Sequence, residues 1–240
     1  MSTIRGGFAW LFDPDNWGGS NGIGDAVFEH LWYSVVATVA AVVIALPIGV
    51  AIGHTGKGRF LAANISGAWR AIPTIGVVTI VFRWQPLSVW PVLIALVVLA
   101  IPPIVLNSVA GFDSVPPDVR DAARGMGLTR RQAIWQVEIP NALPLILAGV
   151  RSATNQVLAT ATVAGFVGLG TLGVFLYTGT RTQQYEVVAG ASIAVIILVL
   201  TAEAGFALLQ RVIVSEGVRA RTPRRLRRAA TIPPITTDLP

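Results

Sequence analysis

The chain contains no cysteine and only two histidines, His30 and His54, in 240 residues. The first absence removes disulfides, thiol nucleophiles and Cys-based metal sites. The second, with the two imidazoles far apart in sequence, removes a His-rich metal centre. Charge is also scarce. Asp, Glu, Lys and Arg make up 12% of residues against 53% hydrophobic ones, and the mean hydropathy is +0.67, too apolar for an ordinary soluble domain. The reading is an integral membrane protein. The net charge of +6 does not imply nucleic acid, because the excess sits in short loops and a terminal tail, where membrane topology accounts for it. No nucleophile, base and orienter set can be assembled, so a membrane-embedded enzyme has little support and no catalytic, cofactor or metal residue is assigned.

Residues 1–30 set Asp13, Asp15, Asp25 and Glu29 against a lone Arg5, and Gly18, Gly19, Gly22 and Gly24 are expected to break any helix. Without the basic start, apolar core and small-residue cleavage site of a signal peptide, this stretch is expected to be retained as an acidic interfacial lead-in. At about 20 apolar residues per crossing, five spans are predicted, over 31–53, 60–82, 88–112, 145–167 and 187–209. Splitting of the second at Pro73 would make six. The layout is therefore a lead-in at 1–30, a membrane domain at 31–213 and a basic tail at 214–240. With five spans, Lys57, Arg59, Arg120, Arg124, Arg130, Arg131, Arg151, Arg211 and the tail fall on one side, and only Arg5, Arg83 and Arg181 on the other. The positive-inside rule then places the N-terminus outside and the C-terminus in the cytoplasm.

Between the third and fourth spans, residues 114–144 concentrate charge with helix starts and stops. Pro116 and Pro117 suit a first helical turn, and Asp118 and Asp121 complement its positive end. Val119, Ala122, Ala123 and Met126 make an apolar stripe, with Arg120 and Arg124 beside it. Gly125 and Gly127 offer a stop. Thr129 and Gln132 have capping-box spacing for a second helix, which Pro140 and Pro144 are expected to limit. Caps and a stripe alone fit a plain solvated hairpin equally well. The residue order adds more: Asp121-Ala122-Ala123, then Gly127, then Val137, Ile139 and Pro140 resemble the signature of permease subunits of bacterial ABC importers. The usual form there is Glu-Ala-Ala, a glycine and a late Ile-x-Leu-Pro, so this chain differs by conservative replacements at positions 121, 137 and 139.

The resemblance implies an all-α, type I importer-like permease of about five transmembrane helices, with residues 114–144 as a cytoplasmic coupling helix docked on a separate ABC ATPase. It further implies a second permease subunit, an extracytoplasmic substrate-binding protein and a bacterial cell membrane as location. The segment DPDNWGGSNGIGDAVFEHL resembles the lead-in of actinobacterial permeases for quaternary-ammonium osmoprotectants, which implies glycine betaine, choline, carnitine or proline betaine as substrate. A methionine-type amino-acid importer shares the docking signature and stays open. From another class, an ion-coupled carrier would use Glu203 as its protonation site.

Four further features need a place. GHTGKG at 53–58 lacks the spacing, the Ser or Thr and the preceding strand of a P-loop, and reads as a tight basic turn. GFVGLGTLG at 165–173 follows a membrane span, so it reads as a flexible break, close helix packing or a hinge rather than a dinucleotide fingerprint. Arg70 and Glu203 lie inside predicted spans, where charge needs a partner, and pairing with each other is one solution. Asn155, Gln156, Thr160 and Thr162 form two polar faces on the fourth span, suited to a translocation path or to interhelical hydrogen bonds. The tail RARTPRRLRR suits anionic membrane lipid.

Overall fold

The computed structural model describes residues 2–19, 21–62, 64, 76 and 88–214, and among these every regular element is helical. Among the described residues, the helices that set the architecture are α1 (Ser2–Phe12), α2 (Ile23–Thr55), α3 (Trp90–Asp113), α4 (Pro117–Gly125), α5 (Arg130–Val167), α6 (Gly173–Arg181) and α7 (Tyr185–Ile213). Helices α2, α3, α5 and α7 are long and apolar enough to cross a bilayer. They correspond to the first, third, fourth and fifth predicted spans. Most of the second span, Arg70 and Pro73 included, lies outside the described residues, as does the tail beyond Val214.

Small residues bring the central helices together. On α2, Ala37, Ala41 and Ala45 are fully buried at four-residue spacing, and Gly49 and Gly53 continue the row. A Cβ on Gly49 would stand 2.5 Å from Ser108 Cβ of α3, and one on Gly53 would stand 2.7 Å from Phe112 Cβ. On α5, a Cβ on Gly149 would stand 2.7 Å from Asn107 Cβ. Backbones thus approach closely along α2, α3 and α5, as in membrane helix packing where apolar burial from water supplies no drive. The resulting core joins Ala95, Leu96, Ala100 and Ile104 of α3 to Ala153, Val157 and Ala161 of α5.

The first thirty residues differ from the expected lead-in. Residues 2–12 are helical, and α2 begins at Ile23, eight residues before 31. Gly18, Gly19 and Gly22 occupy the turn between these helices, while Gly24 lies inside α2. Gly7 and Leu11 are buried where α1 packs on the start of α7, and a Cβ on Gly7 would stand 2.7 Å from Ala189 Cβ. The end of α1 is capped by side chains: Asn16 Nδ2 donates to the Trp10 carbonyl at 2.9 Å and Trp17 Nε1 to that of Leu11 at 2.6 Å. These bonds occupy carbonyls that the helix itself leaves unpaired. Most of α7 beyond this contact presents exposed apolar residues such as Leu200, Leu208 and Val212.

Candidate functional site

The 114–144 segment follows its local rules closely. Pro117 opens α4 and Asp118 sits in its first turn. The helix closes with Gly127 N–H donating to the Arg124 carbonyl at 2.9 Å and Leu128 N–H to that of Ala123 at 3.2 Å. This is a Schellman pair, and Gly127 takes the left-handed position it requires, at φ 75°. Thr129 and Gln132 then form a reciprocal capping box.

The limit expected at Pro140 and Pro144 does not occur. Helix α5 runs on into the apolar span, and residues Ala133–Glu138 are wound as π-helix, with Ile139 N–H reaching back five residues to the Ile134 carbonyl. Pro140 follows this wide turn directly. Because proline lacks an N–H and its ring crowds the preceding turn, the local change of register lets the helix continue where a regular one would break. The part of the 114–144 segment from Arg130 onward and the apolar span are consequently one continuous helix.

The predicted apolar stripe of α4 is only partly used inside the chain. Ala123 is buried, but Ala122 is exposed and Met126 is 72% exposed, while Trp135 on the π-turn is 64% exposed. Asp121 points outward and pairs with Arg124 at 3.2 Å. Of the remaining signature residues, Val137 and Ile139 are half-buried, and Gly127 and Pro140 are exposed.

Arg120 turns inward, to a centre that sequence reasoning missed. Glu138, 5% exposed, receives His54 Nδ1 at 2.6 Å, and Arg120 Nε lies 3.4 Å from its other oxygen, close enough for an ion pair though not aligned as a hydrogen bond. Arg120 also donates to the Phe112 carbonyl at 2.5 Å. Arg130 Nε donates to His54 Nε2 at 2.8 Å. Since Nε2 accepts, the proton of a neutral His54 is on Nδ1 and is donated to Glu138. The end of α2 is thereby tied to α4 and to the π-turn of α5. These side chains, with Arg124 and Leu128, line a cleft of about 410 Å³ carrying more positive than negative charge. Nearby, Arg59 pairs with Asp113 at 2.5 Å. His54 itself lies in the final turn of α2, followed by left-handed Gly56 and Gly58, so residues 53–58 form a helix end and turn.

Glu203 finds partners on α5: Asn155 Nδ2 donates to it at 2.6 Å, and Arg151 forms an ion pair with it. Arg151, placed by charge counting at a membrane edge, thus joins Asn155 in tying α5 to Glu203 of α7. Arg70, the expected partner, lies outside the described residues. Gln156, Thr160 and Thr162, further along the same helix, are half-buried, with Thr162 Oγ1 donating to the Ala159 carbonyl at 2.8 Å. Among the described residues, no cluster of His, Asp and Glu has a metal-binding arrangement.

At the opposite end of the bundle, α5 finishes as 3-10 helix over Ala161–Val167, and left-handed Gly168 turns the chain toward α6. A Cβ on Gly165 would overlap the Gly173 backbone, and one on Gly173 would overlap Thr162. The glycine-rich segment is a close backbone crossing.

Residues 42–216 match the family described as binding-protein-dependent transport system inner membrane component. The carnitine transport permease protein OpuCB of Listeria monocytogenes is 29% identical over 192 residues, covering 80% of this chain and 88% of that protein. The glycine betaine/carnitine/choline transport system permease protein OpuCB of Bacillus subtilis is 29% identical, with the same coverage. The osmoprotectant import permease protein OsmW of Salmonella typhimurium is 30% identical, covering 80% and 92%. Among solved structures, an inward-facing MetNI methionine ABC transporter superposes with a TM-score of 0.70 over 80% of this chain and 96% of that one, at 23% identity. That likeness is one of fold.

Proposed function

The chain belongs to the family of binding-protein-dependent transport system inner membrane components, and on that premise we propose that it is the permease subunit of an ATP-driven importer for quaternary-ammonium osmoprotectants. The carrying observation is that relatives named for carnitine, glycine betaine, choline and osmoprotectant transport each align with about four-fifths of the chain. A methionine or other amino-acid substrate has only the shared fold and the shared 114–144 signature behind it, neither of which meets substrate. The Arg151 and Asn155 contacts give Glu203 a structural role and weigh against a proton-carrying one.

In this reading residues 114–144 dock on a cytoplasmic ATPase, through Asp121, Ala122, Ala123, Gly127, Val137, Ile139 and Pro140, with Met126 and Trp135 offering exposed apolar surface. The N-terminus is outside, residues 31–213 form the permease domain after a lead-in at 1–30, and the tail from 214 is cytoplasmic. A second permease subunit completes the pathway, Asn155, Gln156, Thr160 and Thr162 contribute to its wall, and a binding protein delivers substrate. Closure of the ATPases displaces α4. Because α4 is tied through Arg120 and Glu138 to α5 and through His54 to α2, the displacement moves both membrane helices as levers.

The test is co-purification of the ATPase with wild type and with Gly127→Asp, alongside osmolyte uptake. Wild type is expected to retain the ATPase and take up choline or glycine betaine, and a correctly inserted Gly127→Asp to lose both. Uptake that persists without any ATPase and collapses with the proton gradient would overturn the reading.

A further inference from the structure

Opposite the 114–144 segment is a second cleft, of about 490 Å³, between the start of α2, the glycine-rich segment and α6. Its chemistry differs from that of the His54 cleft. The lining includes the carboxylates of Asp25 and Glu29, one turn apart on α2, and the rings of Phe166, Phe175 and Tyr177, with no Lys or Arg. Phe166 and Tyr177 have centroids 5.2 Å apart and planes inclined by 56°, so their faces make a corner. Phe175 is braced edge-on by Trp10 of α1 at 5.2 Å. The Glu29 carboxylate has the Tyr33 hydroxyl beside it and rests against Gly170, where a Cβ would stand 2.7 Å from Oε2. At the rim, the Arg181 guanidinium already lies 5.5 Å from the Tyr177 ring centroid. Its Nη1 also donates to the Tyr177 hydroxyl at 3.0 Å, so this ring already carries a cation from within the chain, and the faces of Phe166 and Phe175 have no such occupant among the described residues.

The combination selects among cations. A small metal ion needs several oxygen ligands, and a primary ammonium needs three acceptors. A quaternary ammonium donates no hydrogen bond and spreads its charge over methyl groups, so it is held by ring faces with negative charge nearby. The cleft supplies three rings and two carboxylates, at the bundle end where substrate would enter if the 114–144 segment is cytoplasmic.

We propose that this cleft is a subsite for the quaternary-ammonium head of the transported solute. The proposal rests on the osmoprotectant reading above and names the residues of this chain that meet the substrate: Phe166, Phe175 and Tyr177 as ring faces, Glu29 and Asp25 as counter-charges. Through Trp10, which packs edge-on against Phe175, the lead-in helix α1 supports the subsite from behind without lining it.

The absence of native cysteine makes the test direct. Thr178→Cys at the exposed rim supplies a single thiol in the full-length chain, assembled with its ATPase in membrane vesicles. Maleimide labelling is timed with tetramethylammonium, with choline, with the uncharged choline isostere in which carbon replaces nitrogen, and with sodium at equal concentration. Both quaternary ammonium ions are expected to slow labelling several-fold, and the isostere and sodium to leave it unchanged. Protection should disappear in Phe166→Ala and in Glu29→Gln, and weaken in Asp25→Asn, whose exposed position tolerates the change. Protection by the isostere equal to that by choline, or protection surviving both Phe166→Ala and Glu29→Gln, overturns the subsite. Choline and glycine betaine uptake is measured in the same vesicles. Uptake without protection removes the subsite and leaves the transport reading standing, whereas loss of all quaternary-ammonium uptake by the wild-type complex removes both.

Discussion

At one end of the bundle, Glu138 is gripped by His54 and Arg120 through side chains that span the gap between α2, α4 and α5. At the other end, Gly165 and Gly173 bring backbone directly against backbone, with no side chain between. A side-chain tie can lengthen, shift or exchange partners as its elements move. A backbone crossing cannot, because a single added methyl has nowhere to go. The first arrangement suits an end that transmits displacement, and the second suits a fixed point about which helices turn. Both ends use a left-handed glycine, Gly127 and Gly168, yet no neighbour crowds either of these, so their role is conformational rather than steric.

The contrast is broken most severely at the crossing. Gly173→Ala is expected to cost about 3 kcal/mol or more, at the upper range for overpacking, and to lower the thermal midpoint in detergent by about 10 °C. A midpoint unchanged from wild type would show that the crossing yields easily and is no fixed point. Next comes the ionic centre. Glu138→Ala leaves Arg120 without its buried counter-charge, for an expected loss of about 2–3 kcal/mol, while Glu138→Gln keeps an acceptor for His54 and should lose less. The sharper readout is functional: ATP hydrolysis by the assembled complex should continue while uptake falls, and equal losses of both would reduce Glu138 to a folding role.

Gly127→Ala sharpens the comparison from the local side. It places a Cβ in a left-handed turn with open space around it, so about 1 kcal/mol is expected, read as a small midpoint shift with ATPase binding retained. Gly127→Asp, by contrast, should lose the ATPase under the proposed docking of residues 114–144. The smallest effect belongs to Arg59 and Asp113. Their side chains are 45% and 43% exposed, so Arg59→Ala should change stability by about 0.5 kcal/mol or less, within the scatter of replicate melts. A larger loss would mean that the tie between α2 and the α4 region extends beyond His54.

Which parts were legible in the sequence follows from contact range. The start of α4 at Pro117, the stop at Gly127 and the box between Thr129 and Gln132 involve partners at most five residues apart, so residue order alone announces them. The apolar spans were readable for the same reason, since a helix satisfies its own backbone in lipid. The Ala37, Ala41, Ala45, Gly49 and Gly53 row was passed over in the sequence, because hydropathy weighs how apolar a residue is and not how small, and the structure shows it buried. Helix α1 was missed because glycines later in the stretch were weighed as breakers of the whole. The π-turn was missed because proline ordinarily ends a helix, and only the surrounding register shows how Pro140 is accommodated.

Sequence by itself determined the membrane class, the helical grammar of residues 114–144 and the signature by which that segment is recognised, because each rests on composition or on neighbours within a turn or two. Tertiary structure alone decided that His54 meets Glu138 across 84 residues, that Arg151 and Asn155 of α5 share Glu203 of α7, and that Asp25 and Glu29 meet Phe166 and Tyr177 around one cleft. The reason is physical. A buried charge requires a partner but does not specify which, and that choice is made by the packing of small residues that brings distant helices into reach.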